Sequence, residues 1–400
     1  MDAHGALRIG LVLVLTTAVI LVMVFALKDQ GEPEFLVYWS AARLLVTGGN
    51  PYNPLSLRTL EHETRNDRAF NQGQSFASWN PPWLLVLLLP FGLLPFDLAA
   101  RLWLLCNIGL IGAASVLTWQ LLSGPSDRRG LIIVLIASML FGPSLVTLLL
   151  GQISSLVFIG LVLSAWWLRA GRDRLAGAAL FLTTIKPHVT YFVLLLLVLW
   201  LVRHRRWQVF WGMLAAGLIS LAILWMIFPG WMRAYFGLLS IHRWLIPQYI
   251  TSTVGSLGYA LWRTNLFRFA GILPLLFACS LLRLADSQGW LTAMNVALLI
   301  SVPLALYGFV CDQIVFLPAL AQMFFWVWRR ELPPRWMWTI GGGLVISYAA
   351  FFAALTIPLY LYSHWFACIP LALAGLYALA WKQRTPTPSS AASHHLEKHP

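Results

Sequence analysis

The sequence predicts an all-α integral membrane protein, a polytopic bundle of about 11–12 membrane helices with short amphipathic helices in its first external loop. Three observations carry that prediction. Sixty per cent of the 400 residues are hydrophobic and 10% are charged, whereas a soluble domain carries about a quarter charged. Apolar runs of roughly 15–25 residues recur, the length a helix needs to cross about 30 Å of hydrocarbon at 1.5 Å per residue. The runs are continuous rather than alternating, which disfavours a β-barrel. The basic residues behind the formal charge of +13 sit in short clusters: Arg128-Arg129, Arg169/Arg172/Arg174, Arg203-His204-Arg205-Arg206, Arg329-Arg330 with Arg335, and Lys382/Arg384. Clusters between apolar runs read as cytoplasmic loops facing anionic lipid. No basic patch is left over for nucleic acid.

The first span is expected at 9–27, uncleaved, because the run is long and no small-x-small site follows it. It leads outward into a first external loop, 28–80, the longest polar segment, with Asp29, Glu32, Glu34, Glu61, Glu63 and Asp67. Within it, 33–52 reads as a short helix. Glu34, Tyr38 and Ala41/Ala42 recur at helical spacing, and Gly48-Gly49-Asn50-Pro51 stops the run. A second short helix is expected near 54–68, and Asn80-Pro81-Pro82 closes the loop. Residues 83–94 are broken by Pro90 and too short to span. A partial helix there keeps every basic cluster on one side.

Spans then alternate: 101–122 inward, 131–150 outward to Gly151-Gln152, and 153–168 back. Residues 175–185 cover only about 16 Å before Lys186-Pro187-His188, and 189–201 return, so two half-length helices are expected to form a hairpin. Residues 207–228 go out to a second external loop, 229–265, with Trp231, His242, Arg243, Trp244 and Tyr249. Spans at 266–282, 290–307, 314–328, 336–356 and 365–381 complete one domain, 1–384. A disordered cytoplasmic tail follows at 385–400. The 21 Trp read mostly as interfacial belt residues. Cys106, Cys279, Cys311 and Cys368 are isolated in apolar runs and indicate neither a disulfide framework nor a metal site.

This alternation brings Glu34, Asn80, Gln152, Lys186, His188, His242 and Asp312 to the external ends of their segments. Ionisable groups at a membrane are costly, so their convergence on one face points to a site. Some alternatives stay open. Lys186 also fits snorkelling to headgroups, Gln152 fits glue between helices, and Asp312 fits a helix cap. His242-Arg243-Trp244 fits a surface anchor. His394-His395 lies in the tail and is not read as a ligand pair.

The run Glu34-Phe35-(x)2-Tyr38-(x)2-Ala41-Ala42-(x)5-Gly48-(x)2-Pro51-Tyr52 resembles the signature of glycosyltransferase family 87, the bacterial polyprenol-phosphate-mannose-dependent mannosyltransferases. Asn80-Pro81-Pro82, then Gly151-Gln152, Ala176-Gly177 and Lys186-Pro187, resemble further family motifs in order. The similarity covers roughly residues 28–200. Two departures stand out: Glu34 stands where the family usually has Asp, and Asn80 where it usually has an aromatic.

The resemblance implies a GT-C-type cell-envelope enzyme of the bacterial plasma membrane with an extracytoplasmic active site. It would transfer a hexose, mannose in the family, from a polyprenyl-phosphate donor to a glycolipid or glycan acceptor. The residues suit that chemistry. Glu34 is the expected general base of an inverting single displacement, which needs no second catalytic carboxylate. Lys186, Arg43, His188 and Arg243 are the expected cations for the donor phosphate. Tyr38, Tyr52, Asn80, Gln152, His242 and Asp312 are expected to contact substrate. No cofactor is expected, the lipid-linked sugar being a substrate, and no divalent ion is indicated. The rival reading is a transporter or flippase of a lipid-linked glycan; the absence of an internal repeat and the gathering of charge on one face oppose it.

Overall fold

The computed structural model describes residues 34–65, 78–123, 127–242, 251–355 and 366–384. The expected first span at 9–27, Arg243, Trp244, Tyr249, the His242 side chain and the 385–400 tail lie outside the described residues. Among those described, the regular structure is entirely helical.

The chain opens with α1 (Glu34–Val46), α2 (Pro54–Arg65) and α3 (Trp83–Gly92). The long α4 (Phe96–Ser123) follows, then α5 (Arg128–Leu140) and α6 (Gly142–Leu150). Next come α7 (Ser154–Arg169), α8 (Asp173–Phe181) with a 3-10 turn at Leu182–Ile185, α9 (Pro187–His204) and α10 (Trp207–Ile227). Beyond α11 (Trp231–His242) and α12 (Val254–Trp262), a 3-10 stretch Leu266–Phe277 leads into α13 (Ala278–Gln288) and α14 (Trp290–Leu304). A 3-10 stretch Val310–Phe316 then leads into α15 (Leu317–Trp328), followed by α16 (Pro334–Leu355) and α17 (Cys368–Gln383).

Among the described residues, five stretches are each long and apolar enough to cross a bilayer: Phe96–Ser123, Pro187–His204, Trp207–Ile227, Leu266–Ser287 and Val310–Trp328. The pair α5 and α6, bent by 55°, makes up to six. The longer count expected from sequence treats each apolar run as one helix, and several runs are broken. The expected span 131–150 divides at Phe141, whose extended backbone (ψ 127°) interrupts the helix before Pro143. The expected hairpin also differs. Its first arm is short, but its second, α9, is a full 18 residues. The 83–94 segment is a 10-residue helix, α3, too short to cross.

Contacts between segment ends establish that the basic clusters share one end of the bundle. Arg169 donates to the Leu121 carbonyl at 2.6 Å, and Arg206 pairs with Asp173. Arg203 and His204 both reach Asp286, at 2.9 and 2.7 Å. Trp328 donates to Asp127 at 2.7 Å, and Arg384 pairs with Glu331 at 3.3 Å. The ends of α4, α7, α9, α13, α15 and α17 therefore meet the starts of α5, α8, α10 and α16. Everything at the other ends of those helices gathers opposite.

The two largest hydrophobic clusters among the described residues hold the bundle. The larger runs through α4 to α9 and α13 to α17. Within it Gln322 accepts from Asn295 (2.7 Å) and Tyr377 (2.6 Å) and donates to Thr292 (3.0 Å), joining three helices by buried side chains. α8 and α10 cross closely because Gly177 and Gly212 have no side chain: a Cβ on either would strike the Val209 or Arg174 backbone of the other helix. The smaller core surrounds α1. Phe35, Tyr38, Trp39 and Ala42 pack on Leu84, Leu88, Trp103, Ile153 and Ile185. Sequence predicts α1 as an amphipathic helix of the first external loop; in the fold it has no polar face, and residues 35–42 are all buried. A helix apolar all round needs neighbours on every side, and α2, α3, α4 and the 151–153 turn supply them.

Candidate active site

The site is built at the end opposite the basic clusters, from five pieces of chain. α1 presents Glu34 in its first turn and Tyr38 one turn later on the same face. The helix stops at Gly48, whose φ of +80° suits a residue without Cβ.

The second piece is the turn after α6. Gly151 adopts φ +63°, its carbonyl accepts from the Trp103 indole at 2.7 Å, and a Cβ there would lie 2.5 Å from the Phe35 Cβ. Only glycine therefore lets this turn press against the first turn of α1, and Gln152 follows at the contact. The third piece is Ser154, the first residue of α7. The fourth is Lys186, non-helical ahead of Pro187 at the first turn of α9, with His188 beyond it. The fifth is the 307–312 turn, where Asp312 Oδ2 accepts from the Phe309 backbone N–H at 2.9 Å.

Lys186 Nζ donates to Asp312 Oδ1 at 2.6 Å, to Gln152 Oε1 at 2.9 Å and to Ser154 Oγ at 2.9 Å. Ser154 in turn donates to Asp312 Oδ1 at 3.1 Å. Gln152 Oε1 also lies 3.2 Å from the Tyr38 hydroxyl, which is 3.4 Å from Glu34 Oε2. A continuous polar path thus runs Glu34–Tyr38–Gln152–Lys186–Asp312, with direct contacts between residues up to 158 positions apart when Ser154 is included. Lys186, Gln152, Ser154 and Asp312 are buried, so the ammonium and carboxylate compensate each other inside the protein. His188 is packed face to face on Tyr307, ring centroids 4.0 Å apart, and its Nε2 stands 3.7 Å from Asp312 Oδ2.

Glu34 is the acid of this group that is not ion-paired. Burial pushes its carboxyl up to about 7, and the negative charge of Asp312 acts in the same direction. The positive charge of Lys186 and the Tyr38 hydroxyl oppose it. A carboxyl poised near neutrality is half ionised at working pH and can accept a proton without being too weak a base.

Of the sequence-derived candidates, the structure brings Glu34, Tyr38, Gln152, Lys186, His188 and Asp312 together. Arg43 is nine residues beyond Glu34, on the far side of α1, and donates to the Gly92 carbonyl at 3.2 Å. Tyr52 packs on Tyr235, centroids 5.3 Å apart, in a separate cluster with Leu57, Leu85 and Leu224. Asn80 is half-buried ahead of α3 and makes no hydrogen bond to the cluster. His242 ends α11; its side chain and Arg243 are outside the described residues. Two members of the site were not among those candidates. Ser154 had a signal in its place two residues after Gly-Gln at a helix start; Tyr307 had none beyond being aromatic. Among the described residues, no group of three or more His, Cys, Asp or Glu side chains is placed to hold a metal ion.

The sequence model described as Glycosyltransferase family 87 matches residues 79–347, well over half of the chain. The match extends far beyond residue 200 and takes in Gln152, Ser154, Lys186, His188 and Asp312, but starts after Glu34 and Tyr38. No curated protein and no solved structure matches the chain.

Proposed function

The chain belongs to glycosyltransferase family 87, and from that premise we propose that it transfers a hexose, mannose first among candidates, from a polyprenyl-phosphate sugar to a glycolipid or glycan acceptor. The observation that carries the reading is the cluster itself. A half-buried carboxyl near neutrality and a buried cation are tied together at one end of a bundle of apolar helices, opposite the basic clusters joined through Arg169, Arg203, Arg206 and Arg384. Such basic loops face the cytoplasm, which would put the site on the extracytoplasmic side of a plasma membrane. A lipid-linked donor lying in the bilayer presents its phosphate and anomeric carbon at the membrane face rather than in the hydrocarbon core.

The reaction follows from these groups. The acceptor hydroxyl attacks the anomeric carbon as Glu34 takes its proton. The new glycosidic C–O bond forms on the face opposite the breaking bond. The anomeric carbon–oxygen bond to phosphate breaks, and its electron pair leaves with the phosphate oxygen. One displacement inverts the anomeric configuration, and Asp312, paired with Lys186, is not required as a second catalytic carboxylate. The developing negative charge on phosphate falls toward the polar end of α9, where Pro187 separates Lys186 from His188.

The test is transfer by the purified protein in lipid nanodiscs, using radiolabelled polyprenyl-phosphate mannose beside the glucose and arabinofuranose analogues and a nucleotide sugar. Labelled glycolipid formed from the lipid-linked sugar alone supports the reading. Use of the nucleotide sugar instead would refute it.

A further inference from the structure

Lys186 and His188 stand one residue apart on either side of Pro187, yet the structure treats them differently. Lys186 has three N–H groups, and all three are taken by Asp312, Gln152 and Ser154 within 2.9 Å. Its side chain is 5% exposed and its counter-ion is fully buried. A phosphate could reach this ammonium only by displacing one of those partners, and losing Asp312 would leave a buried carboxylate uncompensated. His188 is the reverse case. Both ring nitrogens are buried and make no hydrogen bond, with Nε2 standing 3.7 Å from Asp312 Oδ2 and the side chain as a whole 14% exposed, and stacking on Tyr307 fixes the plane of the ring. A buried polar group without a partner calls for a ligand or an explanation.

Building on the donor proposed above, we infer that the two side chains divide the work: His188 meets the departing phosphate, and Lys186 is a positioning residue that holds the frame behind Glu34. The frame is the path already described, in which Lys186 anchors Gln152, Gln152 sits beside the Tyr38 hydroxyl, and that hydroxyl sits beside Glu34. Lys186 also neutralises Asp312, which would otherwise oppose ionisation of Glu34. The groups facing Glu34 are Tyr38 on its own helix, Lys186 at the start of α9, and Cys311 and Asp312 in the 3-10 stretch before α15. A phosphate bonded to His188 replaces the missing partner and leaves the buried ion pair intact.

The experiment measures binding of undecaprenyl phosphate, the sugar-free product, by native mass spectrometry of the purified full chain, and turnover in parallel. His188→Gln should weaken binding roughly tenfold or more, the effect of losing a charge-assisted hydrogen bond to phosphate. Its pH profile should keep its acid limb in place. Lys186→Met alone leaves Asp312 unpaired, so the neutral pair Lys186→Met with Asp312→Asn is made beside it. The neutral pair should bind undecaprenyl phosphate within about threefold of wild type while turnover falls at least tenfold. Lys186→Arg, if folded, should restore part of that turnover. Loss of binding in the neutral pair comparable to that in His188→Gln would make Lys186 the phosphate ligand and overturn the division. Unchanged binding in His188→Gln would overturn it equally. If wild type itself neither binds undecaprenyl phosphate nor uses the lipid-linked donor, the donor reading falls first and this inference with it.

Discussion

Glu34→Gln is the substitution on which the proposed chemistry is most exposed. Glutamine has the shape of glutamate, and its carbonyl can still accept from the Tyr38 hydroxyl 3.4 Å away, so the first turn of α1 keeps its packing. What is lost is the ability to take a proton. General-base assistance is typically worth about 10²–10⁴ in rate, or about 3–5 kcal/mol at 1.36 kcal/mol per tenfold. That range is the expected fall in kcat, with donor KM within about twofold because no donor contact changes.

The pH dependence sharpens the test. Burial holds the Glu34 carboxyl at about 7, so wild-type kcat/KM should rise with pH to a midpoint near there and level off above, as the base ionises. The Gln variant should lack that limb. Stability should move the other way. The folded protein keeps a proton on Glu34 that the unfolded chain has already released. Its contribution is therefore full below the ordinary carboxylate range and lost as pH rises through about 7. Above neutrality Glu34→Gln should unfold at a temperature no lower than wild type. The assay is initial-rate transfer from radiolabelled polyprenyl-phosphate mannose across that pH range, with thermal unfolding on the same samples. A variant retaining a third of wild-type turnover, with its acid limb in place, would refute Glu34 as the base.

Further outcomes follow from neighbouring contacts. Tyr38→Phe removes the hydroxyl that favours ionised Glu34, so the acid limb of kcat/KM should move to higher pH, with kcat falling less than about tenfold. Gly151→Ala places a Cβ at φ +63° and 2.5 Å from the Phe35 Cβ. The left-handed backbone alone costs about 1–2 kcal/mol, and α1 must also shift, so a lower unfolding temperature and lost turnover should appear together. Gln322→Leu breaks the bonds joining Thr292, Asn295 and Tyr377. It should lower thermal stability by about 1–3 kcal/mol, and donor KM, measured in the transfer assay, should stay unchanged.

The residues of this chain determined a good deal without help. Apolar composition and run length set the class, because a bilayer demands helices of a minimum length. Basic clusters between the runs assigned the ends, and the contacts of Arg169, Arg203, Arg206 and Arg384 keep them together. The stop of α1 at Gly48 and the turn at Gly151-Gln152 were legible because backbone angles there are a local matter. Alternation then brought Glu34, Gln152, Lys186 and Asp312 to one end, a consequence of counting spans.

Tertiary structure alone decided which of those groups touch. Lys186 and Asp312 are 126 residues apart and Tyr38 and Gln152 are 114 apart; spacing carries no information over such distances, since the approach depends on how helices pack. Arg43 shows the same limit in reverse. It shares a helix with Glu34, but α3 draws it to Gly92, away from the site. Run length likewise does not reveal a break such as that at Phe141, nor that α1 is enclosed by neighbours on every side. Helical periodicity says which residues share a face; only packing says what that face meets.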